Sequence, residues 1–125
     1  QFINTDKAPA VVGPYSKGIV SQNFVFTSGQ IGLKLDKPEL VSDSVEEQVK
    51  QVFKNLDAVL SAAGSDKDLV VKAEVFVIDL KDFEVVNGLF AEYFGDHKPA
   101  RTTIQVAALP KNAKVEISFT AEIKG

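Results

Sequence analysis

Arg101 and Glu116 are the residues of this chain whose types and setting best suit them for chemistry. They share one stretch, "PARTTIQVAALPKNAKVEI", residues 99–117. Arg101 heads a short apolar strand, and Glu116 stands inside the next. A guanidinium grips a carboxylate through two parallel N–H donors. A carboxylate left partly free beside it can hold a water or pass a proton. If the two strands form a hairpin about Leu109–Pro110, Thr103 lies across from Glu116 and Arg101 one diagonal step away, all on one face. The same spacing also describes a structural Arg–Glu contact, worth roughly 0–1 kcal/mol when exposed. Spacing alone leaves both readings open.

Little else in the chain competes for a chemical role. There is no Cys, which excludes thiolate nucleophiles, disulfides and Cys-based metal sites. The single His, His97, lies in the loop-like "GDHKPA" and reads as a surface residue, and no zinc-ligand spacing occurs. The net charge of −3 disfavours a general phosphate-binding surface, so nucleic acid is not an expected partner. No apolar run approaches the ~20 residues that cross a bilayer, and no membrane partner is expected. The N-terminus does not read as a targeting segment. A cytoplasmic location is expected, or a mitochondrial one if an N-terminal segment has been removed, since the chain contains no Met.

The elements that have to position these residues fit one domain over residues 1–125. After an arm with Pro9 and Pro14, "GIVSQNFVFTSGQIG" reads as two strands joined near Ser21–Asn23. From Ser44 to Ala63, Val45, Val49, Val52, Phe53, Leu56, Val59, Leu60 and Ala63 make one helical stripe. Ser44 with Glu47 fits a capping box, and Gly64 a left-handed stop. The β-branched "LVVKAEVFVIDL" (69–80) reads as a strand with Val71, Ala73, Val75 and Val77 on an apolar face. A second helix is expected from about Asp82 to Phe94, with Phe83, Val86, Leu89, Phe90 and Phe94 inward and Gly95 as its stop. Strands near 101–107 and 114–123 close the chain. The order is β-β-α-β-α-β-β, a mixed α+β sheet with both helices on one face, given right-handed crossovers. The other face would carry the apolar side chains left over on the central strand, which predicts a homo-oligomer.

The stretch 99–117 resembles the C-terminal signature of the RidA/YjgF-type family of reactive-intermediate (enamine/imine) deaminases. The likeness lies in Pro-Ala-Arg, the Leu-Pro turn and the Val-Glu-Ile end. "APAVVGPYSKGIV" (8–20), "FTSGQIG" (26–32) and "FEVVNGLFAEYFGDHKPAR" (83–101) resemble further family segments, in the same order along the chain. The resemblance implies a chorismate-mutase-like single domain and a homotrimer with active sites between subunits. The implied activity is hydrolysis of 2-imino acids, formed from 2-aminoacrylate-type enamines, to 2-keto acids and ammonia, without metal or cofactor. By position, Arg101 is then the carboxylate clamp and Glu116 the residue that handles water or protons. Tyr15, Ser28, Gly29 and Asn87 match the family's other substrate-binding positions. Thr103 departs from the Cys that many family deaminases carry there, which puts rate and substrate preference in question. The alternative that the resemblance admits is a non-catalytic member: a small-carboxylate binder, a chaperone or a ribonuclease-like translation inhibitor.

Overall fold

The computed structural model describes residues 1–124. Six strands form one mixed sheet: β1 (Phe2–Ile3), β2 (Gly18–Ser21), β3 (Phe24–Thr27), β4 (Val70–Val77), β5 (Ala100–Gln105) and β6 (Val115–Glu122). Helix α1 (Val45–Ala62) links β3 to β4, and α2 (Phe83–Phe94) links β4 to β5. The two-residue β1 is a strand that the sequence pattern did not suggest; it pairs with β2.

Across the sheet the order is β1-β2-β3-β6-β4-β5. The expected hairpin between the last two strands does not form. β5 runs parallel to β4, pairing Val75 with Thr103, whereas β6 inserts antiparallel between β3 and β4, pairing Phe76 with Glu116. The physical reason is burial. β6 presents Val115, Ile117, Phe119 and Ala121 to the core and suits the sheet's centre, whereas the half-polar β5 suits an edge. A parallel neighbour needs a crossover rather than a tight turn, and α2 provides it. The residues of "LPKN" still turn the chain: Pro110–Asn112 form a short 3-10 segment, with φ of 56° at Lys111 and 60° at Asn112.

Both helices cover one sheet face. Val49, Val52, Phe53, Leu56 and Leu60 of α1 and Val86, Phe90 and Phe94 of α2 pack on Val25, Ala73, Val75, Val77, Ile117 and Phe119. The Phe53 and Phe90 rings meet edge-on, 5.4 Å between centroids. Ser44 caps α1 by accepting from the Glu47 N–H at 3.3 Å. Its own N–H bonds to Ser42 Oγ at 3.0 Å, so the reciprocal half of the capping box falls to Ser42 rather than Glu47. Gly64 follows the helix at φ 81°, as expected.

A register shift between Val70 and Lys72 turns Val70 into the core and leaves Val71 38% exposed, exchanging the two from their expected faces. The face away from the helices is mixed. Phe26 and Ile104 are exposed on it beside Phe76, while Glu74, Thr102, Glu116, Ser118 and Thr120 give it polarity. The central strand's leftover apolar residues are thus fewer than expected, and the apolar exposure is shared with β3 and β5.

Candidate functional site

The register decides where each candidate side chain goes. Ala73 pairs with Arg101 and Val75 with Thr103, so both β5 residues share the helix-covered face. Glu116 pairs with Phe76 and points the other way. In one chain the sheet therefore separates Arg101 from Glu116, contrary to the same-face arrangement that hairpin pairing implied. Two half-sites result.

The first half-site lies on the open face. Glu116, Tyr15 and Gly29 line a cavity of about 370 Å³, whose walls include Pro9, Val11, Val12 and Ile31. Beyond Phe26 and Thr120 the β3 chain leaves regular pairing and meets β6 again where Gln30 and Ile117 exchange backbone hydrogen bonds at 2.9 and 3.1 Å. One extra residue is accommodated on the β3 side, a bulge that re-aims Ser28 and Gly29. A Cβ built on Gly29 would stand 2.5 Å from Glu116 Oε2, so the carboxylate lies over the glycine's empty side. Glu116 has no ion-pair partner among the described residues. Partial burial raises its pKa above the ordinary carboxyl value, because the charged form loses water. It is an unpaired, partly buried carboxyl, a group type able to exchange a proton. Tyr15 is 53% exposed at the cavity, free to meet a ligand.

Ser28, which matches a family substrate-binding position, is itself held within the chain. Its hydroxyl donates to the Ser16 carbonyl at 2.5 Å and its N–H to the Lys17 carbonyl at 3.0 Å. It is not among the cavity's lining residues. Ser28 ties the bulge to the segment that carries Tyr15.

The second half-site lies where β5 meets α2. The Arg101 Nη2 donates to Asn87 Oδ1 at 2.6 Å, and the guanidinium stands 5.0 Å from the Phe90 ring centre and 5.5 Å from that of Phe83. Phe83, expected inward, is 37% exposed and serves as one wall for this cation. Partial burial lowers the pKa of Arg101, yet a guanidinium keeps its charge. Asn87 engages only one nitrogen, so donors remain for a carboxylate reaching Arg101 from outside. Thr103 Oγ1, two residues along the same face, is buried without a hydrogen-bond partner among the described residues. A native protein rarely leaves such a hydroxyl orphaned.

Two positioning residues lie outside the expected set. Gln48, 1% exposed, donates from Nε2 to the Ser42 carbonyl at 2.9 Å and accepts the Lys114 N–H at Oε1 at 2.9 Å. Asn55 donates to the Ile31 and Leu33 carbonyls at 3.4 and 3.2 Å, holding the cavity's floor against α1. Their signal is in the sequence: polar amides two helical turns apart, within an otherwise apolar stripe. No group of three or more His, Cys, Asp or Glu able to hold a metal occurs among the described residues.

Comparison with known proteins adds context. The family profile described as Endoribonuclease L-PSP matches residues 5–123. The chain is 48% identical to Reactive Intermediate Deaminase A, chloroplastic, of Arabidopsis thaliana, over 98% of this chain and 66% of that protein, just under two thirds of its length. It is 44% identical to the human 2-iminobutanoate/2-iminopropanoate deaminase, over 97% of this chain and 88% of the relative. Among solved structures, RidA from an Antarctic Psychrobacter species superposes with a TM-score of 0.94 at 44% identity, covering 98% of this chain and 99% of that one. E. coli TdcF with bound serine superposes with a TM-score of 0.93 at 35% identity, covering 99% of both.

Proposed function

The chain belongs to the Endoribonuclease L-PSP family, which includes the RidA and YjgF proteins, and on that premise we propose that it hydrolyses 2-imino acids to 2-keto acids and ammonia. The observation that carries the reading is the unpaired, half-buried Glu116 carboxyl in an apolar cavity, on a chain that also holds out a partly free Arg101 fork. The names of the Arabidopsis and human relatives support the reaction, and the serine bound to TdcF supports an amino-acid-like ligand.

Because the two half-sites face away from each other, a ligand touching both needs two subunits. The assembly is a closed homotrimer in which the β5–α2 side of each subunit meets the open face of the next. The Arg101 fork of one subunit binds the substrate carboxylate bidentately. Glu116 of the next holds a water against the C=N carbon. As the water attacks the protonated imine, one proton passes to Glu116 and a neutral tetrahedral carbinolamine forms. Glu116 returns that proton to the nitrogen, the C–N bond breaks to release ammonia, and the ammonia takes the hydroxyl proton to leave keto acid and ammonium. Such acid–base help is worth about 10²–10⁴-fold, and an imine already near hydrolysis needs little beyond orientation. Thr103 directs its unpartnered hydroxyl to the same ligand's carboxylate end, in place of a thiol.

The test is keto-acid release from an imine generated in situ by an amino-acid oxidase, using metal-free protein with an RNA substrate in parallel. Wild type accelerates imine hydrolysis and leaves the RNA uncut, and Arg101→Ala loses at least ~10²-fold in kcat/KM while staying folded. RNA cleavage without imine hydrolysis, or full activity in Arg101→Ala, overturns the reading.

A further inference from the structure

Lys17 is the one charged residue among the buried side chains of the described residues, 8% exposed, and the reaction above does not use it. Its ammonium donates to the carbonyl oxygens of Thr5 and Ala8, the latter at 3.0 Å. No carboxylate lies within 4.0 Å of it among the described residues. A buried ammonium with no counter-charge is strongly disfavoured unless hydrogen bonds replace its water. Such a costly group is worth its place where it holds something the fold cannot otherwise hold.

What it holds is the arm. Residues 4–16 form no helix or strand, so their carbonyls have no ladder to join. Lys17 supplies donors to that arm just before Pro9, Ala10, Val11 and Val12, the apolar wall of the cavity that contains Glu116. Its own carbonyl accepts the Ser28 N–H at 3.0 Å, next to Gly29 beneath the carboxylate. One residue thus grips the wall with its side chain and the floor with its backbone. Resting on the deaminase reading, we propose that Lys17 is a positioning residue that fixes the arm as the pocket wall. It thereby sets the site's affinity for imino acids with bulky apolar side chains.

The test uses Lys17→Met, which keeps length and loses the donors, and Lys17→Gln, which keeps an N–H donor. Amide hydrogen exchange of residues 5–12 and kinetics on imines made from alanine and from leucine are measured on the full chain. Lys17→Met exchanges faster in the arm and raises KM about tenfold for the leucine-derived imine, while KM and kcat for the alanine-derived imine stay within about twofold. Lys17→Gln recovers part of both effects, and it carries the comparison alone if Lys17→Met does not fold. Unchanged exchange in the arm, or an equal rise in KM for both imines, overturns the proposal. If wild type hydrolyses neither imine, the deaminase reading fails, and the exchange of the arm alone decides whether Lys17 holds it.

Discussion

Gly29 leaves a space that the Glu116 carboxylate occupies, and this makes a glycine part of a chemical site without any reactive atom. Because the atom a new Cβ would meet is the end of a flexible side chain, Gly29→Ala is expected to spare the fold and displace the carboxylate. A displacement of this kind costs about 10²-fold in kcat, while the Tm stays close to that of wild type. Glu116 itself carries a stability cost that the pH dependence exposes. Its pKa is raised by burial, so the folded chain binds this proton more tightly than the unfolded one. The stabilisation is complete below the unfolded carboxyl's pKa and is lost as pH rises through the folded value. Glu116→Gln is therefore expected to melt higher than wild type at pH 7, with the difference closing in acid; thermal melts across that range check it. In its proposed role, Glu116 would weaken the fold it serves, a trade between activity and stability.

At the scale of elements, α1 is where the sequence was most legible. Its stripe, its Ser44 cap and the left-handed Gly64 all follow from local periodicity and turn chemistry. The strands of the site were legible as strands and not as neighbours. Alternation tells which residues of β5 share a face, but the partner strand fixes which face that is, and β4 rather than β6 is the partner. That single difference moved Arg101 and Thr103 to the far side of the sheet from Glu116. Asn87 entered only through family likeness, as a substrate-binding position, and its bond with Arg101 was not foreseen, because nothing local joins a mid-helix amide to a strand fourteen residues on. Gln48 shows a complementary gap. Its type suggests a surface residue, yet it bridges the loop at Ser42 to the start of β6. Gln48→Leu leaves a part-buried acceptor at Ser42 and a part-buried donor at Lys114 without their partner and is expected to cost about 1–2 kcal/mol. Urea titration would show a lower midpoint at unchanged slope.

The whole molecule carries two incomplete sites on opposite sides of one sheet, and this makes the proposed assembly testable without a structure of it. Arg101→Ala keeps a sound Glu116 half, and Glu116→Gln keeps a sound Arg101 half. Each is expected to be inactive alone. Mixed by unfolding and refolding together, they form rings in which about a quarter of the interfaces pair two sound halves, if subunits combine at random. Activity of the mixture near that fraction of wild type supports sites shared between subunits. A mixture no more active than its parts assigns both residues to sites within single chains.

If the proposed reaction is right, the division of Arg101 from Glu116 by the thickness of a sheet would also set how catalysis depends on the amount of protein. In an enzyme whose site lies within one chain, halving the concentration halves the rate. In the proposed ring each unit of activity would belong to two neighbours, so the rate is expected to fall faster than the concentration once dilution reaches the range where the ring comes apart. Dissociated subunits would keep their helices, sheet and cavity and still turn over nothing. The fold would remain and the enzyme would be gone, a kinetic order above one written into the direction in which two side chains point.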